Sequence, residues 1–318
     1  MNQLVGNFTS DNKTTSDSYD SENSVLKVLH LLSYVAICLI GTFGNMLVLL
    51  VTRKQRMRTV TNVFIANLAL ADLAVCVFSI PISLAYTSLG YWPFGQVLCQ
   101  TMPYLQGVTV CASVGTLTAI ACDRFIVIVY PTKRKLKISQ TWMSIAFIWG
   151  LSAVVTIPVN LHSEVVDDNV EGINRSFCME IWPSRVSQLT YAMIVFLVLF
   201  LLPLCAMSIM YAAIIYKLKK LHPTQQATLR THKKVVKMLV VVIVTFAVCW
   251  IPYHVTFLYY DILKYDSATR STEELTNLVL FIQWLMYANS ACNPIVYAVC
   301  NLNYRKEFIH MLKCSCNS

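Results

Sequence analysis

Four side chains able to hydrogen-bond or carry charge recur along one apolar stretch, CQTMPYLQGVTVCASVGTLTAIACDRFIVIVY from Cys99 to Tyr130: Cys99, Gln106, Ser113 and Arg124. Spacings of 7, 7 and 11 residues keep all four within a narrow stripe of one helical face at about 100° per residue. No charged side chain precedes Asp123 and Arg124 in the run. Gln106 and Arg124 are about 27 Å apart along a helix axis, so this helix can act as the spine for a signal between two depths. A second candidate group centres on Asp72 in NLALADL, the only acid in the middle of a span. Its available partners are Asn45, Ser113, Asn289, Ser290 and Asn293. A carboxylate ringed by neutral oxygens can hold a small cation such as sodium, or take up a proton. Phe246, Trp250, His254, Phe257 and Asp261 form a third group, an aromatic stripe ending in an acid on one helical face. Arg124 keeps its charge and has Asp123 as its obvious partner, with Tyr211 and Tyr297 placed to hydrogen-bond there in an opened state.

The elements that position these groups are membrane helices. The 318 residues are 56% hydrophobic and 13% charged, with a mean hydropathy of +0.57, far from an ordinary soluble domain. Apolar runs of spanning length occur at about 26–52, 60–88, 97–129, 141–162, 188–216, 235–260 and 274–300. The expected architecture is an all-α membrane protein: a segment 1–25, a seven-helix domain 26–300, and an amphipathic helix and tail over 301–318. The first residues, MNQLVGNFTSDNKTTSDSYDSENS, lack an apolar core, so the first span is expected to direct insertion.

Charge sets the orientation. Of the 25 Lys and Arg residues, nineteen fall at one end, in the loops after the first, third and fifth spans, the tail and Arg124. The positive-inside rule makes that end cytosolic and the amino terminus extracellular. Thirteen of the 16 acids fall at the other end, Glu180 and Asp261 among them, giving that face a field that favours cationic ligands. Asn7, Asn12 and Asn174 fit the glycosylation pattern there. Of twelve cysteines only Cys99 and Cys178 lie on this oxidising side, so they are expected to pair. Cys38, Cys76, Cys111, Cys122, Cys205, Cys249, Cys292 and Cys300 read as packing residues inside helices. Cys314 and Cys316, beside Lys313 in the tail, are candidates for palmitoylation. Prolines at 81, 158, 203, 252 and 294 mark hinges in five of the spans.

Taken in order, Gly44-Asn45, Asn67 to Asp72, Cys99, Asp123-Arg124-Phe125, Trp149, Pro203, Phe246 to Pro252 and Asn293-Pro294-Ile295-Val296-Tyr297 resemble a rhodopsin-like (class A) G-protein-coupled receptor over essentially the whole chain. Two departures stand out. Phe125 replaces the usual Tyr, and His232 and Lys233 stand where some members carry a Glu that locks Arg124. Gln106 replaces the acid of amine receptors, and Tyr287 replaces the lysine of opsins. With Trp92-Pro93-Phe94-Gly95, His254 and Asp261, these features look like the peptide branch around neuropeptide Y, RFamide and prolactin-releasing-peptide receptors. The resemblance implies that Asp261 and Glu180 receive the arginine of a peptide ending in Arg-Phe-amide or Arg-Tyr-amide. It further implies that Gln106, Tyr86, Gln283 and Tyr287, with His254, line the deeper pocket for the amidated terminus. Trp250, Phe246, Pro203, Asn293, Pro294, Tyr297 and Tyr211 would form the activation switch, Asp123 and Arg124 the coupling site, and Asp72, Ser113, Asn289 and Ser290 a sodium site. The implied partners are an amidated cationic peptide, a heterotrimeric G protein, arrestin and membrane lipid, without nucleic acid; the implied place is the plasma membrane, with no cofactor beyond a possible modulatory sodium ion. The competing readings are a receptor for another peptide or a non-peptide ligand, and a seven-helix transporter. The transporter reading lacks an inverted repeat or charged relay, and no nucleophile–base or metal-ligand spacing among the six histidines supports an enzyme.

Overall fold

A computed structural model describes residues 16–133, 135–170, 173–220, 226–263 and 273–316, with side chains over 28–133, 135–169, 174–220, 232–259 and 277–313. Among these residues, seven long helices form a bundle: α1 (Ser16–Thr52), α2 (Val60–Leu89), α3 (Gly95–Val129), α4 (Ile138–His162), α5 (Arg185–Lys220), α6 (Gln226–Leu263) and α7 (Glu273–Cys300). Six of them contain stretches long and apolar enough to cross a bilayer. The seventh, α7, has 28 residues, about 42 Å of helix, and is made more polar by Gln283, Asn289, Ser290 and Asn293. A shorter helix, α8 (Leu302–Cys316), follows. Between α4 and α5 an antiparallel hairpin pairs β1 (Ser163–Val170) with β2 (Ile173–Glu180).

Local chemistry sets the ends. Thr59 caps α2 by accepting from the Asn62 amide at 3.2 Å, and Gln140 returns to the Lys137 amide at 2.9 Å at the start of α4. Gly90 ends α2 with φ +71°, a left-handed conformation that only glycine adopts without strain. Two helices widen where proline approaches. The π turns Val75–Ser79 and Val195–Leu201 lie just before Pro81 and Pro203. A proline ring has no N–H and clashes with the carbonyl four residues back, and a wider turn relieves both problems. Pro103, inside α3, is a sixth intrahelical proline beside the five hinge prolines.

The core is apolar and crossed by a few polar ties. Phe64, Leu68, Ile120, Met207, Ile214 and Leu239 are fully buried. Asn67 links three helices, donating to Thr116 Oγ1 and accepting from Trp149 Nε1, each at 2.8 Å. Met143, Phe147 and Ile209 point outward, as a bundle immersed in hydrocarbon requires. Cys76 and Cys249 are buried as expected of packing residues, but Cys122 and Cys205 are exposed on the outer surface. Their helical position was readable, and the side of the bundle they face was not.

Candidate functional site

At the acid-rich end the hairpin lies over the bundle. The Cys99–Cys178 disulfide ties β2 to the start of α3. Gln96 grips β1 with both ends of its amide, accepting from Val165 N at 2.8 Å and donating to Ser163 O at 3.0 Å. Trp92 donates its amide to Ser176 O at 2.6 Å and its indole to Gly95 O at 2.9 Å, and its ring meets Tyr86 edge-on at 5.3 Å. Glu180 is exposed and accepts from Trp182 Nε1 at 3.0 Å. Trp182 is itself stacked on His162 at 4.2 Å. Asp261 carries an expected ligand role, but its side chain lies outside the described residues.

Beneath this mouth, polar side chains from three helices meet. Tyr287 on α7 donates to Gln106 Oε1 on α3 at 3.2 Å, and Gln283 on α7 donates to Ser83 Oγ on α2 at 2.8 Å. Gln106 Nε2 rests 3.9 Å from Met286 Sδ. Tyr287 is buried, so this floor is a set of amide and phenol groups with no formal charge, suited to a neutral polar group. His254 packs against Phe200 at 4.4 Å and Trp250 at 6.2 Å, and Trp250 stacks on Phe246 at 6.0 Å. The aromatic stripe read from the sequence thus joins α6 to α5.

A small cavity of about 20 Å³ connects the floor to the buried acid, reaching from Gln106 and Tyr287 past Trp250 to Ser113, Asn289, Ser290 and Asp72. That volume admits about one water-sized particle. Asp72 Oδ2 accepts from Asn293 Nδ2 at 2.7 Å, with Ser290 facing the same carboxylate. Among the described residues, the side-chain oxygens of Asn45, Asn289 and Asn293 are buried without a hydrogen-bond partner. Two expected neighbours bond elsewhere. Asn45 donates to Gly41 O and Ser290 O, each at 2.9 Å, and Ser113 donates to Thr109 O at 2.9 Å. Both donors are taken up by backbone carbonyls, while Ser113 still lines the cavity that reaches Asp72.

At the basic end Asp123 is 3% exposed. It accepts from Arg124 Nε at 3.0 Å and Nη2, and from Thr61 Oγ1 at 3.3 Å. Tyr211 is buried within electrostatic reach of this pair. Tyr297 instead packs on Tyr304 of α8 at 5.6 Å. Burial raises the Tyr304 phenol above its ordinary range, so it stays a neutral group. His232 lies in the electrostatic field of Arg124, and among the described residues Arg124 forms its ion pair with Asp123 and none with α6.

The chain matches the family model 7 transmembrane receptor (rhodopsin family) over residues 44–297. It belongs to the rhodopsin family of seven-transmembrane receptors. The receptor is 34% identical over 304 residues to a QRFP-like peptide receptor of Branchiostoma floridae, covering 92% of this chain and 79% of that protein. It is 37% identical over 297 residues to neuropeptide Y receptor type 2 of Cavia porcellus and of Homo sapiens, covering 91% of this chain and 77% of each relative. It is a receptor and not an enzyme.

The receptor's structure brings Gln106, Tyr287, Gln283, Trp250, Phe246 and His254 into one region, and Asp72, Ser290 and Asn293 into the next. Tyr86 sits with Trp92 at the mouth, and Pro203 and Pro294 lie within α5 and α7. Asn174 is exposed on β2, whereas Asn7, Asn12 and the side chains of Cys314 and Cys316 lie outside the described residues. Two participants escaped the sequence reading. Ser83 is one; its spacing of three from Tyr86 on α2 was the signal available, since that spacing puts both on one helical face. The other is Glu307, 3% exposed on α8, which pairs with Lys54 at 2.5 Å and with Arg56.

Proposed function

We propose that the receptor binds an amidated, cationic neuropeptide at its acid-rich end and activates a heterotrimeric G protein at its basic end. The observation that carries this reading is the uncharged floor of Gln106, Tyr287, Gln283 and Ser83 beneath an acid-rich mouth. A carboxamide both donates and accepts, and matches such a floor, whereas a terminal carboxylate would be desolvated there without a cation. The mouth supplies the opposite chemistry, with Glu180 held by Trp182 and Asp261 on α6 as receivers for an arginine. The names of the relatives, a QRFP-like peptide receptor and neuropeptide Y receptors, agree with a peptide ligand, and the proposed ligand ends in Arg-Phe-amide or Arg-Tyr-amide.

The acid-rich end is extracellular, a reading supported by the lysine and arginine bias of the other end, and the plasma membrane is the proposed location. Asn7, Asn12 and Asn174 are then glycosylation sites, and Cys314 and Cys316 palmitoylation sites. Breaking the Asp123–Arg124 pair while α6 moves away from α3 opens a basic, apolar crevice for a partner's helix, which G protein and arrestin share. Trp250, Phe246, Pro203, Asn293, Pro294, Tyr297 and Tyr211 carry the switch. The residues around Asp72 fit a sodium ion: a buried carboxylate, the unpartnered buried amide oxygen of Asn289, and a cavity lined by both together with Ser113 and Ser290. Bound there, sodium would supply a positive charge beside Asp72, held by the side-chain oxygens of Ser113, Asn289 and Ser290.

Competition binding with matched amide and free-acid peptides tests the floor. Wild type is expected to prefer the amide by about tenfold or more, the value of one or two hydrogen bonds in a buried site, and Gln106→Ala to erase most of that preference. An unchanged amide preference in Gln106→Ala and in Tyr287→Phe overturns the reading.

A further inference from the structure

On the outer surface of the bundle, α3 and α4 leave a groove of about 460 Å³ lined by Gly115, Ala119, Cys122, Ser144, Phe147 and Ile148. Small residues on α3 make it. A Cβ at Gly115 would stand 2.8 Å from Ile148 Cγ2, so the helices approach closely there. Below that point Ala119 and Cys122 leave a low floor between them. The groove opens towards hydrocarbon, because Phe147 and Met143 beside it are 70% and 71% exposed. Its polar groups are already engaged. Thr118 donates to Val114 O at 2.8 Å, Ser144 donates to Gln140 O at 3.0 Å, and Cys122 Sγ lies 3.7 Å from Met210 Sδ. The body of an occupant must therefore be apolar.

The two walls lead to positive charge. The α3 wall ends at Tyr130, with Lys133 Nζ 5.1 Å from its ring, and the α4 wall begins at the capping residue Lys137. Both lysines are exposed. From Gly115 to Tyr130 the helix rises about 22 Å. Half of a bilayer, headgroups included, is about 20–22 Å. The groove itself, from Gly115 to Cys122 on α3, covers about 10 Å of that rise on the midplane side, and the two lysines stand beyond it at the headgroup end. We propose that it binds one acyl chain of an anionic phospholipid from the leaflet at the basic end, with the headgroup phosphate held between Lys133 and Lys137. The chain would lie against Cys122, one residue from the Asp123–Arg124 pair, which places lipid composition next to the coupling site.

The test is native mass spectrometry of the full-length receptor taken from mixed micelles of phosphatidylglycerol and phosphatidylcholine. Wild type is expected to retain one phosphatidylglycerol in preference to phosphatidylcholine. Lys133→Ala and Lys137→Ala should each weaken that preference about fivefold, the value of one lysine near an anionic surface. Ala119→Phe should abolish retention by filling the groove. Because that variant changes a packed face, alkylation of Cys122 by a membrane-soluble maleimide, read on the modified peptide, gives a second measure in wild type. Phosphatidylglycerol should slow it and phosphatidylcholine should not. Equal retention of the two lipids, retention unchanged in both lysine variants, or protection of Cys122 by a sterol but not by phosphatidylglycerol each overturns the proposal.

Discussion

Glu307 makes a prediction whose sign follows from burial. Its side chain is 3% exposed, while those of Lys54 and Arg56 are 38% and 73% exposed. The carboxylate is therefore the desolvated member and the cations are partly in water. Glu307→Gln removes the buried charge itself and returns both cations to solvent, so the loss is that of largely exposed pairs, about 1 kcal/mol. Lys54→Ala with Arg56→Ala does the reverse. It leaves a buried carboxylate without a counterion, which costs about 3–5 kcal/mol. Adding Glu307→Gln to that double variant should recover most of the loss, since the stranded charge is gone. At about 2–4 °C per kcal/mol, the unfolding midpoint should fall by about 2–4 °C in Glu307→Gln and by about 6–20 °C in the double variant. Thermal unfolding of the four purified proteins, followed by circular dichroism, measures this. A Glu307→Gln variant as unstable as the double variant, or a triple variant that is not rescued, would refute the assignment of the buried charge.

Three further outcomes follow from single contacts. Gly44→Ala places a Cβ 2.7 Å from the rigid ring of Pro294, so α1 and α7 must separate; a loss of about 1–3 kcal/mol in thermal unfolding is expected, and unchanged stability would show that the two helices move apart freely. Cys99→Ser releases a link spanning 79 residues, with an expected loss of about 4 kcal/mol and faster proteolysis of the hairpin. Replacing sodium chloride by choline chloride should shift agonist affinity in wild type and leave it unchanged in Asp72→Asn. An identical salt response in both would remove the ion from the Asp72 site.

Much of this architecture can be read from residue order because lipid imposes a simple rule. Each spanning helix is a long apolar run, and its few polar residues, such as Gln106, Asp72 and Asn293, must face inward. The Cys99–Cys178 pair was legible for a related reason, since topology left these two on the oxidising side. Other features depend on tertiary placement. Glu307 sits among Arg305, Lys306 and His310 and reads as part of a solvated face; its burial follows from the short turn Gln55–Met57, which brings Lys54 and Arg56 back to α8. The hairpin was missed because its strands carry Asp167 and Asp168 opposite Ser176 and Arg175, a polar pairing without an apolar alternation. The π turns at Pro81 and Pro203 are local relief of a clash, which sequence marks only as a hinge. Cys122 and Cys205 show the same limit, because helical periodicity names a face and packing decides what that face meets.

Ligand recognition is tested most directly by G-protein activation in cells expressing the receptor, challenged with amidated peptides ending in Arg-Phe or Arg-Tyr and with their free acids. Amides are expected to activate, free acids to be much weaker, and Asp261→Ala to abolish the response while surface expression is retained. Silence to every amide at verified surface expression, or equal potency of amide and acid, would contradict this reading of the ligand.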